Sequence, residues 1–360
     1  MKIELIKFIL IISVLILVAC NENKTASYEK IKPSKIKAEK IDQIDEDNDF
    51  ADLAVYGGNL ILIDRSQEEI FQVYSTNGFR KIGSFGIIGE GPENFSLPKF
   101  VKSSFSGNIS DDFWIFDPNK KLLKNINLKT TDGLEYSFTE SRLIDPKVLG
   151  SFDINILKNG KMIGKNPIDG KGNFYLFDPS NKEISWIDFH PEIPEKNIAN
   201  KNKAFIYNSV LIYNEKNNKI VQAMYFFNQI HLYDQNTEIL KSITIGDLNI
   251  PDFSEKSHSL IPPSLVYNFV DLKTTDNYIF ALFQGIEHEV KMSKPNKEFY
   301  SKVYKFDWDG NIIEIYELEL LLNLIALDSK NDKIYGLHFN REENSLNALP
   351  EIYQYKLKID

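Results

Sequence analysis

The sequence predicts an all-β fold: a six-bladed β-propeller of four-stranded antiparallel blades, its ring closed by an N-terminal strand in the last blade. Three observations predict it. From Ala51 onward, apolar and polar residues alternate in short runs broken by Asn, Asp and Gly, and long stretches of period 3.6 are missing. A turn followed by an apolar strand then recurs six times, as "GGNLILID", "SDDFWIFD", "KNGKMIG", "KNNKIVQA", "TDNYIFAL" and "KNDKIYGL". The closing turn residues Asn59, Asp112, Gly160, Asn218, Asn277 and Asp332 stand 53, 48, 58, 59 and 55 residues apart, room for four strands each. Finally, an outer hairpin with an aromatic–Asp step recurs at residues 174–189, 230–245 and 303–318, and "STNGF" supplies its counterpart in the first unit.

The N-terminus comes first in the chain and differs from the rest. Lys2 and Lys7 precede a twelve-residue apolar core, Phe8 to Ala19, with Ser13 as its single polar residue. A bilayer span needs roughly 20 apolar residues, so this stretch has the size of a secretory leader instead. It ends in Leu17, Val18, Ala19 and Cys20, a pattern that resembles a bacterial lipobox with Cys20 as the lipidated residue. Cys20 is the single cysteine in 360 residues, so an internal disulfide is excluded. The expected division is a signal peptide over 1–19, a lipidated cysteine and polar tether over 20–30, and one propeller domain over 31–360. Asn21, directly after the cysteine, points to the outer membrane by the enterobacterial sorting rule.

The blades are expected to begin near 51, 100, 151, 206, 264 and 322. The last unit ends after three strands, and the segment Glu29 to Ile44 is available as its fourth. A pair of β-sandwich domains is the alternative architecture for such regular strands. Between the first two units lies "GIIGEGPENF". With the lipobox and the six units, it resembles the TolB-like six-bladed propeller lipoproteins, whose Gly-x-x-Gly-x-Gly-Pro-x-x-Phe signature falls here on Gly86, Gly89, Gly91, Pro92 and Phe95. A related form carries Glu before the Phe, where this chain has Asn94. The resemblance implies a fold and an envelope address, and no defined activity.

Composition excludes some functions. The formal charge is −9, or −10 once residues 1–19 are removed, and only Arg65, Arg80, Arg142 and Arg341 are arginines. A nucleic-acid binder shows a basic stripe, so no nucleic-acid partner is expected. The glycine cluster lacks the strand–helix context of a phosphate loop, and Asn94 stands where a dinucleotide fingerprint needs its third glycine. Its glycines are expected to supply positive φ while Pro92 stiffens a crossing between blades. There is no Gly-x-Ser-x-Gly, no His-Glu-x-x-His and no cysteine pair, so neither a metal nor another cofactor is expected. "DEDND" (45–49) departs from a calcium loop at Phe50 and Tyr56.

Strand alternation places the connectors 84–100, 141–151, 188–206 and 246–264, and the insertions 284–297 and 339–351, on one face. The tight hairpins fall on the other, and long loops carry binding more often. Arg65, Glu90, Glu93, Asn94, His258, His288, Glu289 and Arg341 are therefore the candidate binding residues. The expectation is a membrane-anchored envelope lipoprotein that binds a protein, glycan or small molecule. The alternative is an extracytoplasmic hydrolase or lyase with its site at the channel mouth on that face.

Overall fold

A computed structural model describes residues 31–44, 48–105, 112–131, 133–148, 150–193, 203–251, 262, 264–341 and 348–357. Leu17 to Cys20 and the tether that follows lie outside the described residues. Two short strands lead, β1 (Ser34–Ile36) and β2 (Glu39–Lys40). Blade 1 is β3 (Phe50–Tyr56), β4 (Asn59–Asp64), β5 (Glu69–Ser75) and β6 (Lys81–Ile87). Blade 2 is β7 (Lys99–Phe100), β8 (Asp112–Asp117), β9 (Leu122–Lys129) and β10 (Glu135–Leu143). Blade 3 is β11 (Asp153–Ile156), β12 (Met162–Lys165), β13 (Phe174–Asp178) and β14 (Glu183–Ile187). Blade 4 is β15 (Ser209–Asn214), β16 (Lys219–Met224), β17 (Gln229–Asp234) and β18 (Ile239–Thr244). Blade 5 is β19 (Val266–Thr274), β20 (Tyr278–Glu287), β21 (Ser301–Asp307) and β22 (Ile312–Leu318). Blade 6 holds β23 (Leu322–Asp328), β24 (Lys333–Arg341) and β25 (Ala348–Lys356).

The first strands of successive blades meet around the ring, β7 through the turn Lys102–Phe105 that follows it, so these strands line the axis. Every blade is pressed between two others. Its inner strands are therefore covered on both faces, and β4 and β15 are buried from end to end. The core lies in the seams between blades. Phe71, Phe95 and Phe113 fill the seam of blades 1 and 2; Ile279 and Phe306 pack on Val221 and Leu232 between blades 4 and 5.

Local chemistry explains the repeating turns. In the outer hairpins an aromatic residue, Phe177, Tyr233 or Phe306, is buried, and the Asp after it caps the turn. Asp178 accepts the Ser180 N–H at 3.0 Å, Asp234 the Asn236 N–H at 2.8 Å, and Asp307 the Asp309 N–H at 3.0 Å. Asn218 and Asp332, read as turn residues, hold the left-handed conformation with φ of 52° and 51°.

Ring closure uses the N-terminal segment in two pieces. β2 pairs antiparallel with β25 and completes blade 6, and the Ile41 N–H extends that ladder to the Ile352 carbonyl at 3.0 Å. β1, however, pairs parallel with β22 and gives blade 5 a fifth strand. A single strand on the last blade does not account for this segment. It covers two neighbouring open edges and straps their seam, with the Ala38 N–H donating to the Glu319 carboxylate at 3.0 Å between them.

The glycine connector locks blade 1 to blade 2. Phe95 is buried against Phe71, with ring centroids 5.1 Å apart, and its N–H donates to the Ile87 carbonyl at 2.8 Å. Gly86 has φ of +76°, and a Cβ there would stand 2.6 Å from the Phe71 ring. Gly89 and Gly91 do not share the positive φ expected of them. They are small because the Asn94 amide lies between them, 2.6 and 3.2 Å from where their Cβ atoms would be. Gly86→Ala should therefore cost about 1 to 3 kcal/mol of strain plus the clash, read as a lower urea midpoint. Gly89→Ala should cost less, because only an amide tip has to move.

Candidate functional site

The axis is filled by charge. Asp52, Asp153 and Asp271 face Ile63, Lys165 and Leu282 across their first hairpins. Each lies four residues up the second strand from Asn59, Lys161 and Tyr278, where those hairpins open. The same rung of blades 1, 3 and 5 thus carries a carboxylate. Lys102, in the turn after β7, reaches in from blade 2 and its Nζ donates to Asp271 Oδ1. Asp271 also pairs with Lys273 at 3.3 Å and accepts the Leu272 and Ile325 N–H groups at 2.8 and 2.9 Å. Asp52 accepts the Leu53 and Phe100 N–H groups at 2.9 and 3.2 Å. Asp153 pairs with Lys165 at 3.3 Å, and Lys165 donates to Asn208 at 2.8 Å.

These contacts also staple blades in pairs. Asp52 of blade 1 holds a blade 2 amide, and Asp271 of blade 5 holds a blade 6 amide. Asn155 of blade 3 donates to the Leu211 carbonyl of blade 4 at 3.0 Å. Burial alone would lower the Lys102 ammonium, but Asp271, Asp52 and Asp153 together outweigh it and hold it above the usual lysine range. Burial works against the Asp271 carboxylate too, yet Lys102 and Lys273 keep it low. Asp52 goes the other way, because burial exceeds what Lys102 and Lys273 return.

Above this network, at the connector end, the mouth is framed by polar side chains. Lys99 on β7 is half-buried with its Nζ 3.5 Å above the Phe152 ring, and no acceptor lies on it among the described residues. Arg65 follows β4 and is exposed. Across the mouth, Tyr267 bonds His288 Nδ1 at 3.0 Å, and Lys291 donates to Gln284 at 2.9 Å while lying 4.8 Å over the Tyr267 ring. Arg341 donates to the carbonyls of Lys291 and Lys294, tying down the short helix His288–Ser293. Burial, and then Arg341, push the Lys291 ammonium down to about 8.

The expected candidates therefore divide. Arg65 stands at the mouth, and His288 and Arg341 are brought to one helix beside it. Glu90, Glu93 and Glu289 are exposed, and Asn94 is spent inside its own connector. His258 lies outside the described residues. Reading the sequence missed Lys99, Lys102 and the three aspartates. Their signal is a charged residue inside an otherwise apolar first strand, as in "FADLAVY" and "FVDLKT".

Two other features lie away from the axis. A hollow of about 360 Å³ opens on the hairpin face, the side opposite the long connectors, lined by Ser103, Trp114, Tyr213 and Glu215. Ser104 and Asp112 also line it, and residues 106–111 lie outside the described residues. Between blades 3 and 4, the Ser242 hydroxyl lies 2.9 Å from His231 Nδ1 and 3.3 Å from His190 Nε2. Burial, and then His190, hold the His231 imidazole down at about 3.

A ring of six blades, held along its axis by its own ion pairs, defines a β-propeller of the six-bladed class. Over residues 51–330 the chain matches the TolB-like 6-blade propeller-like family, and it belongs to that family. Among solved structures it is similar to a member of the DUF4221 family from Bacteroides vulgatus, with a TM-score of 0.55, 12% identity, and 91% of this chain and 97% of that one covered. It is also similar to a protein of Bacteroides fragilis described as exported, with a TM-score of 0.52, 13% identity, and 93% and 97% covered. At these identities the likeness establishes the fold alone. No curated protein matches the sequence.

Lys102→Met leaves the buried carboxylates undercompensated and should lower stability by about 3 to 5 kcal/mol in urea unfolding. The pH dependence has a definite sign. His231 is depressed in the folded state, so its contribution is full above the unfolded value near 6.5 and is lost as pH falls toward 3. The urea midpoint should drop between about pH 7 and pH 5, with His190 and His338, also lowered by burial, adding to the slope. His231→Gln should flatten it.

Proposed function

We propose that this chain is an exported lipoprotein, anchored through an acylated Cys20, whose propeller is a binding module with its ligand at the connector-face mouth. The leader and lipobox support the anchor, and the exported description of the Bacteroides fragilis neighbour is in keeping with that address. Residues 21–30 span at most about 36 Å when extended, so the body stays close to the bilayer. The observation that carries binding over catalysis is the way the axial groups are used. Lys102, Lys165 and Lys273 each have a carboxylate, and the carboxylates are held by these lysines or by backbone amides. None of these paired groups is left as a free acid or base, and Lys99, the axial lysine without an ion pair among the described residues, is placed to bind.

Away from that mouth, a hydrolase site at Ser242 would use His231 as its base. A ring held down at about 3 is too weak a base for a serine at neutral pH, where catalysis favours values near 7. The anchor is testable directly. Cys20→Ser should move the protein from the membrane to the soluble fraction and abolish labelling by palmitate. Continued labelling would overturn the anchor.

A further inference from the structure

We infer that the mouth takes a small oxyanion carried on a flat apolar group, with Lys99 and Arg65 as its charge partners and Phe152 as the surface for the apolar part. This deepens the reading of the mouth as the binding site and rests on it.

Lys99 lacks the ion pair that the neighbouring lysines have. The other lysines of the axis are each ion-paired with a carboxylate, whereas the Lys99 Nζ lies over a ring at 3.5 Å with no ion pair or hydrogen bond among the described residues. An ammonium carries three donors, and removing them from water without acceptors is costly. The nearby carboxylates are already engaged. Asp153 pairs with Lys165 at 3.3 Å, and Asp52 accepts the Leu53 and Phe100 amides. Burial pushes the Lys99 ammonium down, and Asp153 and Asp52 act the other way through space. Lys102 and then Arg65, which makes no side-chain contact among the described residues, push it down further. Asp153 and Asp52 offset part of the Lys99 charge, but neither is its ion-pair partner, and the fold makes no hydrogen bond to the Lys99 or Arg65 side chains among the described residues. An oxyanion between them supplies the missing acceptors, and Arg65 offers a planar fork for it.

Phe152 defines the rest of the ligand. It opens β11 with 44% of its surface exposed, and its N–H donates to the Lys165 carbonyl at 3.0 Å, which fixes the backbone beneath the ring. An exposed aromatic beside an anion-holding pair suits a ligand that is charged at one end and flat at the other. Depth is limited as well. The cavity under Lys99, lined by Lys102, Phe152, Asp153 and Asn155, amounts to about 10 Å³, room for a water at most. The ligand stays at the mouth and does not enter the axis.

The test is calorimetric titration of the full chain, at low salt, with benzoate and phenyl phosphate, using benzamide as the neutral match of benzoate. Either anion should bind and benzamide should not, and the stronger of the two distinguishes a carboxylate from a phosphate ligand. Lys99→Met should weaken binding at least about tenfold, Lys99→Arg should largely restore it, and raised salt should weaken it. Lys99→Met should melt close to the parent, because the ammonium makes no ion pair or hydrogen bond with the fold among the described residues and its ring contact is partly exposed. A large loss of stability would make Lys99 structural and overturn the inference. Benzamide binding as well as benzoate, with both lost in Phe152→Ala, would overturn the oxyanion while keeping the mouth as the site. Anion binding that survives both Lys99→Met and Phe152→Ala would overturn the inference and the mouth together.

Discussion

The charged plug of the axis is the constraint on which the rest of the molecule depends. Lys102 sits among Asp271, Asp52 and Asp153, with 13% of its side chain exposed, and the carboxylate it bonds is fully buried. Ions taken out of water are stable only when geometry and hydrogen bonds are complete, so each partner must arrive at its proper place. That requirement sets the register of the first strands in blades 1, 3 and 5. It also explains the backbone amides recruited from blades 2 and 6. A ring has no end that can slip once three alternate blades are pinned at one rung.

Around this plug the apolar seams supply the bulk of the stabilisation, as burial does in most folds. The plug makes them specific. Each seam is an unselective surface of Leu, Ile, Val, Phe and Tyr, and such surfaces tolerate sliding unless something fixes them. The Asp-capped outer turns fix each hairpin locally, and the strap from β1 to β2 fixes the seam between blades 5 and 6. The glycine connector fixes the seam between blades 1 and 2 by placing Phe95 beneath it. These devices leave the connector end of the axis free of structural duty, and there an unpaired lysine and an exposed ring persist.

How much of this could be read in advance follows the range of each interaction. The six units, the hairpins and the Asp turns are written within about ten residues each, where period-two alternation and turn chemistry act. The glycine signature was recognisable as a crossing, but two of its three glycines serve Asn94 packing and not positive φ. Nothing local distinguishes those reasons, since both select the smallest residue. The N-terminal segment was recognisable as a closing strand. Its division between two blades was not, because a three-residue strand such as Ser34–Ile36 carries too little pattern to name its partner.

By itself, then, the sequence determined the fold class, the blade count and the chemistry of the turns, because each is a local property repeated six times. The tertiary structure alone decided the site. Lys102 and Asp271 are 169 residues apart, and Lys99, Arg65 and Phe152 come from three blades. Whether a charged residue in an apolar strand finds a partner is settled only when the ring closes and the rungs align. Lys99 and Lys102 are three positions apart in one short segment, and only closure pairs one with a carboxylate and leaves the other facing the mouth.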